Sequence, residues 1–181
     1  YSASIFNISA MSYGALSSAA IMSLNRAAKE GGFAHNTGEG SISPAHLQGG
    51  DLIWQIGTGY FGCRTPDGKF DPIAFAERAG RDEVKMLEIK ISQGAKPGHG
   101  GILPAKKITP EIAAIRGVVM GKDVNSPPAH TAFSTPVGLL EFVVRLRELS
   151  GGKPVGFKLC IGKRREFLSV CKAMLETGIV P

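Results

Sequence analysis

The sequence is poor in cysteine and lacks a long apolar run, and each shortage argues against a class of protein. Its 181 residues include three cysteines, an odd number without Cys-x-x-Cys spacing. We therefore expect neither a disulfide framework nor a metal site in this chain, and a reducing compartment such as the cytoplasm. No stretch approaches about 18 consecutive apolar residues, so no membrane span is predicted. The start, Tyr1-Ser2-Ala3-Ser4, lacks the basic and apolar parts of a signal peptide.

Clustered basic residues are also scarce. The net charge is +6, from 21 Lys and Arg against 15 Asp and Glu, but only Lys163-Arg164-Arg165 forms a basic run. Proteins that bind nucleic acids concentrate their basic residues on one face. The charge balance therefore favours a small anion, such as a phosphate or dicarboxylate, over nucleic acid.

Short apolar segments alternate with amphipathic segments, a rhythm typical of α/β proteins with parallel strands. Strands are predicted at residues 5–8, 33–36, 52–56, 86–92 and 154–160. Four helices are predicted to begin after capping residues, which are Ser17 or Ser18, Asp71, Thr109 and Thr135, and a last helix is predicted at residues 164–177. The predicted fold is the N-terminal portion of a TIM-like (β/α)8 barrel, with about five of its strands.

The length and the ends of the sequence indicate a partial domain. The chain has 181 residues and no initiator methionine, whereas a complete barrel of this kind has about 250 residues. The alternation stops at Pro181, where another strand is due. We therefore expect residues 1–181 to be a barrel domain truncated at its C-terminus. With its strand edges uncovered, the isolated chain is expected to self-associate.

Glycine-rich loops follow the predicted strands, where the active sites of parallel α/β folds lie. In the loop at residues 93–104, glycines expose backbone N–H groups for an anion, and Lys90 and Lys96 can neutralise it. The alternative is a surface loop with solvated lysines. A lysine within a strand, such as Lys90 or Lys158, is costly to bury without a partner, which favours a functional role. Glu39, in a glycine-rich turn, can orient a lysine or an arginine.

Four segments of the chain carry a resemblance to a known family. They are MSYGALS at residues 11–17, NTGEG at 36–40, IKISQGAKPG at 89–98 and SPP at 126–128. In this order they resemble the motifs of the FMN-binding synthase domain of the glutamate synthase family, and are most similar to its short, stand-alone glutamate synthase-like members. The similarity extends over nearly the whole chain.

The resemblance implies an FMN-dependent oxidoreductase acting on CH–NH2 donors. The implied reaction reduces 2-iminoglutarate, formed from 2-oxoglutarate and ammonia, to glutamate. The implied partners are a small anionic substrate and an electron donor such as ferredoxin or a reductase subunit. Ligands of an iron–sulfur cluster and the loops that bind the FMN phosphate would lie outside this chain. We therefore expect the chain alone to be inactive.

The resemblance also implies roles for five residues that would contact the cofactor. Met11, Ser12 and Tyr13 would lie under the flavin and use their backbone groups. Gln93 and Lys158 would hydrogen-bond the polar edge of the flavin ring, with Lys158 stabilising negative charge near N1.

Four further residues match positions that serve the substrate. Lys90, Lys96 and Arg116 match those that hold its carboxylates, and Glu39 matches an acidic residue linked to ammonia delivery. We accordingly predict Glu39 and Lys90 as catalytic residues, and Lys96 and Arg116 as substrate-binding residues.

Three positions depart from the family pattern. His99 replaces a glutamate, Ile102 replaces a glutamine that contacts the substrate, and Tyr60 stands where an arginine is usual, although Arg64 is close enough to reach the same space. Two alternatives therefore stay open. One is an FMN barrel acting on a different small oxo, hydroxy or imino acid, and the other is a non-catalytic module that keeps the fold.

Overall fold

The structure, a computed structural model, describes residues 1–93, 96 and 99–181, and this part of the chain contains five α-helices and six β-strands. The helices are α1 (Ser18–Gly31), α2 (Pro72–Ala79), α3 (Pro110–Arg116), α4 (Pro136–Leu149) and α5 (Arg164–Thr177). The strands are β1 (His35–Asn36), β2 (Leu52–Ile56), β3 (Val84–Lys90), β4 (Gly101–Leu103), β5 (Val124–Ser126) and β6 (Val155–Lys158). These elements confirm the predicted α/β class.

Four of the strands form a parallel sheet in the order β1-β2-β3-β6. Ile56, the last residue of β2, pairs with Ile89, and Lys90 at the end of β3 pairs with Lys158 at the end of β6. The carboxyl ends of the strands therefore lie side by side. In parallel α/β folds this is the end at which ligands bind.

The two faces of the parallel sheet differ in chemistry. On the outer face, Trp54, Leu87 and Ile89 are buried in a core that also includes residues of α2 and α4. Successive residues of a strand point to opposite faces, so the inner face carries Glu88 and Lys90, which are half-buried. Helices outside and polar side chains inside make up the wall of a (β/α) barrel, which confirms the predicted TIM-like architecture.

Four helices begin where the sequence predicts. The N-cap side chains accept hydrogen bonds from N–H groups of the first turn, and they belong to Ser17, Asp71, Thr109 and Thr135. Each such cap stabilises its helix by about 1 kcal/mol. Helices α1 and α5 are followed by Gly32 and Gly178, whose left-handed backbone ends the helix. None of the helices within the described residues is long and apolar enough to cross a membrane.

Buried polar side chains attach α1 to β1, where Nδ2 of Asn25 lies 3.5 Å from Nδ1 of His35, and to the turn before β2. The side-chain oxygen of Asn25 in α1 accepts hydrogen bonds from the N–H groups of Gln48 and Gly50 at 2.9 and 3.1 Å. The rings of His35 and His46 lie 5.3 Å apart, and neither is exposed. Burial lowers the pKa of His35 to about 4 and that of His46 to about 3. Both histidines are therefore neutral at pH 7.

Two parts of the sequence-based prediction are wrong. The strand predicted at residues 5–8 is reduced to one bridge between Ile8 and His35, and Ile5 and Phe6 are exposed. The prediction also missed β4 and β5, which form a separate antiparallel pair in which Ile102 faces Asn125. We call β4 and β5 the antiparallel arm. Strands of three residues carry too little alternation to be recognised from sequence.

Candidate functional site

The candidate site lies at the carboxyl ends of the parallel strands. Glu39 follows β1, Lys90 ends β3 and Lys158 ends β6. The parallel order of the sheet therefore brings together residues that are far apart in the sequence. The side chains of Glu39 and Lys90 are each only 13% exposed, so their charges interact largely out of contact with water.

Glu39, Gln93 and Lys90 form a hydrogen-bonded cluster. The amide nitrogen of Gln93 donates to the two carboxylate oxygens of Glu39 at 3.0 and 2.9 Å, and its amide oxygen accepts from Nζ of Lys90 at 2.8 Å. Nζ of Lys90 also lies 3.4 Å from Oε1 of Glu39. Gly57 leaves room for the carboxylate, because a Cβ there would lie 2.6 Å from Oε2 of Glu39. The structure thus contains the expected contact between Glu39 and a lysine.

The environment of Lys90 lowers the pKa of its amine, so the ammonium releases its proton more readily than an exposed lysine. Burial, the largest effect, lowers the pKa of Lys90, while the charge of Glu39 raises it and the nearby Lys158 and Lys96 lower it. A half-buried ammonium beside one carboxylate can both bind an anion and exchange a proton.

Arg116 is buried beside the same cluster. One of its terminal nitrogens, Nη2, donates to the carbonyl oxygen of Tyr13 at 3.0 Å, and its guanidinium lies 5.0 Å from the ring centre of Phe61. Its Nε, also buried, has no hydrogen-bond partner within the described residues. Burial lowers the pKa of Arg116 and the charge of Glu39 raises it. Within the described residues Arg116 forms no ion pair, so the positive charge of its guanidinium is available to attract an anion.

Glu39, Gln93 and Arg116 line one cavity of about 230 Å³, which we call the Glu39 cavity. Its polar wall includes Glu39, Gln93, Lys96 and Arg116. Its apolar wall includes Ile102 and Leu103 from β4 and Val124 from β5. The antiparallel arm therefore supplies the apolar wall, and residues from the sheet end and α3 supply charge.

The segment of Met11, Ser12 and Tyr13 borders this cavity and is tightly held. Gly38, with φ of 66°, lies so close that a Cβ there would be 2.6 Å from the backbone nitrogen of Ser12. The hydroxyl of Tyr13 donates to Glu111 at 2.6 Å, and this bond raises the pKa of Tyr13. The backbone of this segment is thus fixed from both sides, by β1 and by α3.

The structure separates the two residues predicted to contact the polar edge of the flavin. Gln93 belongs to the Glu39 cavity, whereas Lys158 lines a second cavity of about 200 Å³ together with Asn36 and Glu88. Glu88 accepts hydrogen bonds from Asn36 and Gln55 at 2.9 and 2.6 Å. Within the described residues, the side chain of Lys158 has neither a hydrogen bond nor an ion pair, and only its carbonyl oxygen is bonded, to the N–H of Ile91.

His130, a buried residue outside the predicted site residues, contacts the backbone of Lys90. Nε2 of His130 lies 2.9 Å from the carbonyl oxygen of Lys90, and its Nδ1 lies 3.0 Å from the hydroxyl of Tyr60. Tyr60 is therefore turned away from the Glu39 cavity. Arg64, expected to reach the same space, lies 5.5 Å from the ring of Phe61 and is not part of the cavity wall. The signal available was the histidine that follows Ser126-Pro127-Pro128.

Part of the predicted anion-binding loop lies outside the described residues, namely residues 94, 95, 97 and 98. On either side of this gap, Lys96 and His99 are exposed. In the part of the chain that the structure describes, no group of three or more His, Cys, Asp or Glu side chains is arranged to hold a metal ion.

Comparison with known proteins agrees with this geometry. A family model described as "Conserved region in glutamate synthase" matches residues 2–180. The chain is 41% identical over 175 residues to the glutamate synthase large subunit-like protein YerD of Bacillus subtilis, covering 96% of this chain and 33% of that protein. It is 39% identical over 153 residues to the archaeal-type glutamate synthase [NADPH] of Thermotoga maritima, covering 83% of this chain and 27% of that protein.

The name of a third relative specifies ferredoxin instead of NADPH. The chain is 35% identical over 193 aligned positions to the ferredoxin-dependent glutamate synthase of Cyanidium caldarium, covering 92% of this chain and 12% of that protein. The chain thus spans at most about a third of the length of these curated relatives. Because the family match covers almost the whole chain, including every strand of the parallel sheet and the residues around the Glu39 cavity, the chain belongs to the glutamate synthase family.

Proposed function

We propose that the protein is an FMN-dependent oxidoreductase of glutamate synthase type, which reduces 2-iminoglutarate, formed from 2-oxoglutarate and ammonia, to glutamate. The observation that carries this proposal is the Glu39 cavity, which is lined by the charged groups of Glu39 and Arg116, with Lys90 in contact with Glu39 at 3.4 Å. Relatives named as NADPH-type and ferredoxin-dependent glutamate synthases support the same reaction.

In this proposal Arg116 and Lys96 bind the carboxylates of the substrate. Arg116 and Lys96 place two cations on the wall of the cavity. Glu39 and Lys90 are the catalytic pair, because a carboxylate and a half-buried ammonium 3.4 Å apart can hold and transfer a proton near the substrate nitrogen. Gln93 holds both groups in place.

Two features of the chain fit FMN as the cofactor. Lys158 is a half-buried cation on the inner face of the sheet that lacks a protein partner within the described residues, so an anionic edge of the flavin ring would suit it. The fixed backbone of Met11, Ser12 and Tyr13 offers a rigid surface next to the Glu39 cavity. FMN, when bound, would supply the hydride that reaches the imine carbon. Gln93 was predicted to lie at the flavin edge. Its hydrogen bonds to Lys90 and Glu39 favour a position for Gln93 beside the substrate instead.

We further propose how the rest of the reaction is supplied. Electrons would come from ferredoxin or a reductase subunit, and an iron–sulfur cluster, where used, would have its ligands outside this chain. The protein would act in the cytoplasm, and the isolated chain would be inactive.

A second candidate keeps the FMN barrel and changes the substrate. Ile102 is 71% exposed and forms part of the apolar wall of the Glu39 cavity. A small oxo, hydroxy or imino acid with an apolar side chain would use this wall better than a second carboxylate does.

The first experiment is an absorbance spectrum of the full-length protein, followed by anaerobic addition of 2-oxoglutarate and ammonia to its photoreduced form. A flavin spectrum that reoxidises on this addition, with glutamate formed, is the expected result. A flavin that ignores this pair but is reoxidised by an apolar oxo acid with ammonia would favour the second candidate. A colourless protein that cannot be reconstituted with FMN would leave only a non-catalytic module.

A further inference from the structure

We propose that His130 is a positioning residue for Lys90, acting through the hydrogen bond from its Nε2 to the Lys90 carbonyl oxygen. This inference rests on the proposed function in so far as Lys90 is taken to be catalytic. The contact joins the loop after β5 to the end of β3, 40 residues away in the sequence. It holds the backbone at the point from which the Lys90 side chain enters the Glu39 cluster.

The hydrogen-bond partners of His130 determine which of its two ring nitrogens carries the proton. A carbonyl oxygen only accepts, so Nε2 of His130 must carry the proton in its 2.9 Å contact with Lys90. Burial lowers the pKa of His130, so the ring is neutral at pH 7 and its Nδ1 is an acceptor. The hydroxyl of Tyr60 then donates to Nδ1 at 3.0 Å and accepts from the N–H of Ala132 at 3.1 Å. Every polar atom in this chain of contacts has a partner.

The Lys90 carbonyl needs such a donor because of the length of β2. The N–H groups of Leu87 and Ile91 point to β6, where they bond to Pro154 and Lys158. Alternation along a strand therefore turns the Lys90 carbonyl towards β2, which ends at Ile56 opposite Ile89. His130 takes the place of the missing strand partner.

Close packing around His130 holds its ring in one position, and the hydrogen bond from the ring holds the Lys90 backbone. Tyr60 is not exposed at all, and His130 is 7% exposed. The ring of Phe133 stacks on His130 at 4.9 Å, and Tyr60 packs edge-on against it at 5.3 Å. From the backbone held in this way, Nζ of Lys90 reaches Gln93 at 2.8 Å.

The test uses two variants of the full-length protein that differ in reach. The amide nitrogen of the His130→Gln side chain can occupy the place of Nε2 and donate to the carbonyl, whereas the shorter His130→Asn side chain mimics only Nδ1. Tyr60→Phe provides a third variant that keeps the ring and removes the hydroxyl. The first readout is the rate at which acetic anhydride modifies the Lys90 amine, measured by mass spectrometry. This readout requires no enzymatic activity.

We expect the Lys90 amine to be modified several times faster in His130→Asn and Tyr60→Phe than in the unmodified protein, and His130→Gln to stay within about twofold of it. Equal rates in all four proteins would overturn the proposal. Should His130→Asn fail to fold, Tyr60→Phe and His130→Gln still give the comparison.

A double-mutant cycle with Lys90→Met gives the second readout, the rate of flavin reoxidation. If His130 acts through Lys90, His130→Asn slows the reaction at least tenfold alone and adds little to Lys90→Met. Additive losses would overturn the proposal. If the flavin ignores 2-oxoglutarate and ammonia while the modification rates differ as expected, the positioning role stands and the proposed reaction falls.

Discussion

At the residue scale, Glu39 binds two groups at once. It accepts hydrogen bonds from the amide of Gln93 and forms an ion pair with the ammonium of Lys90. We expect Glu39→Gln to slow flavin reoxidation by about 100-fold, the lower range for loss of acid–base assistance. The physical reason is that Lys90 loses the charge that raises its pKa and remains half-buried. Stopped-flow absorbance measures the rate, and the exposed Glu77→Gln in α2 is the control, with no change expected. Equal rates for Glu39→Gln and the unmodified protein would contradict a catalytic role.

Arg116 allows a matched comparison with Arg64, because both guanidinium groups lie near the ring of Phe61, at 5.0 and 5.5 Å. Only Arg116 lines the Glu39 cavity. We expect Arg116→Lys to raise the KM for the oxo acid about tenfold or more, because lysine lacks the planar, multi-donor geometry of arginine. Arg64→Lys should leave KM within about twofold. Steady-state kinetics measures the KM of both variants. Similar changes of KM in the two variants would contradict a role of Arg116 in binding the substrate.

The buried histidines of β1 and its neighbouring turn predict how stability depends on pH. The pKa of His35 is about 4 and that of His46 about 3, against 6.5 when exposed. The unfolded chain therefore binds more protons as the pH falls below about 6.5, and the stability contributed by the neutral rings is lost between there and about pH 4 for His35 and about pH 3 for His46. For His35 alone this is on the order of 3 kcal/mol.

Hydrogen exchange of the full-length protein tests this dependence locally. Amides of α1 and β1 should lose protection between pH 7 and pH 5 after correction for intrinsic exchange rates. The variant His99→Gln changes an exposed histidine and should behave like the unmodified protein. Protection that stays constant over this range would show that the buried rings do not control the stability of this region.

At the element scale, the close packing of the turn after β1 against the segment of Met11 to Tyr13 can be tested with two glycines. Gly38 and Gly32 both have φ of 66°, but a Cβ at Gly38 would lie 2.6 Å from the nitrogen of Ser12, whereas one at Gly32 meets nothing within 4 Å. Gly32→Ala should cost about 1 kcal/mol for the left-handed backbone alone. Gly38→Ala should cost more and also weaken FMN binding.

Urea unfolding and flavin titration measure the two effects in the full-length protein. Since the backbone conformation is matched, the difference between the variants reports the contact with Ser12. Equal free energies of unfolding and equal FMN affinities would mean that the segment is free to move aside.

Elements with local signals were predicted well, and elements that depend on distant contacts were not. The caps at Ser17, Asp71 and Thr135 lie within a few residues of the groups they bind. Ile8 is different, because it pairs only with His35 and the rest of the predicted strand has no neighbour. The hydrogen bond of His130 to Tyr60 spans 70 residues and left no local pattern.

The candidate site shows the same division. The family motifs indicated Glu39, Lys90 and Arg116; in the structure Glu39 and Arg116 line the Glu39 cavity, and Lys90 contacts Glu39. The sequence did not reveal that Gln93 would join Glu39 instead of Lys158. The choice depends on side-chain directions at the ends of three strands, which motif order does not determine.

At the scale of the whole molecule, the open edge of the parallel sheet at β6 and exposed apolar side chains of α5 predict association of the isolated chain. The sheet ends in β1 and β6, and α5 exposes Leu168 and Leu175, at 55% and 87%. Light scattering of the isolated chain should therefore give a mass above that of one 19.1 kDa chain. The double variant Leu168→Lys and Leu175→Lys should reduce the association. A single-chain mass for the unmodified chain would contradict the prediction.

The antiparallel arm stands outside the parallel sheet, yet it forms one wall of the Glu39 cavity. Within the described residues its two strands pair with each other and not with the parallel sheet, so substitutions at Ile102 should leave the register of the barrel wall unchanged. Under the proposed function, substitutions in the antiparallel arm change the preferred acid, while Glu39 and Lys90 at the sheet end stay under separate selection. Related proteins with one barrel and many substrates are the expected outcome of such modularity.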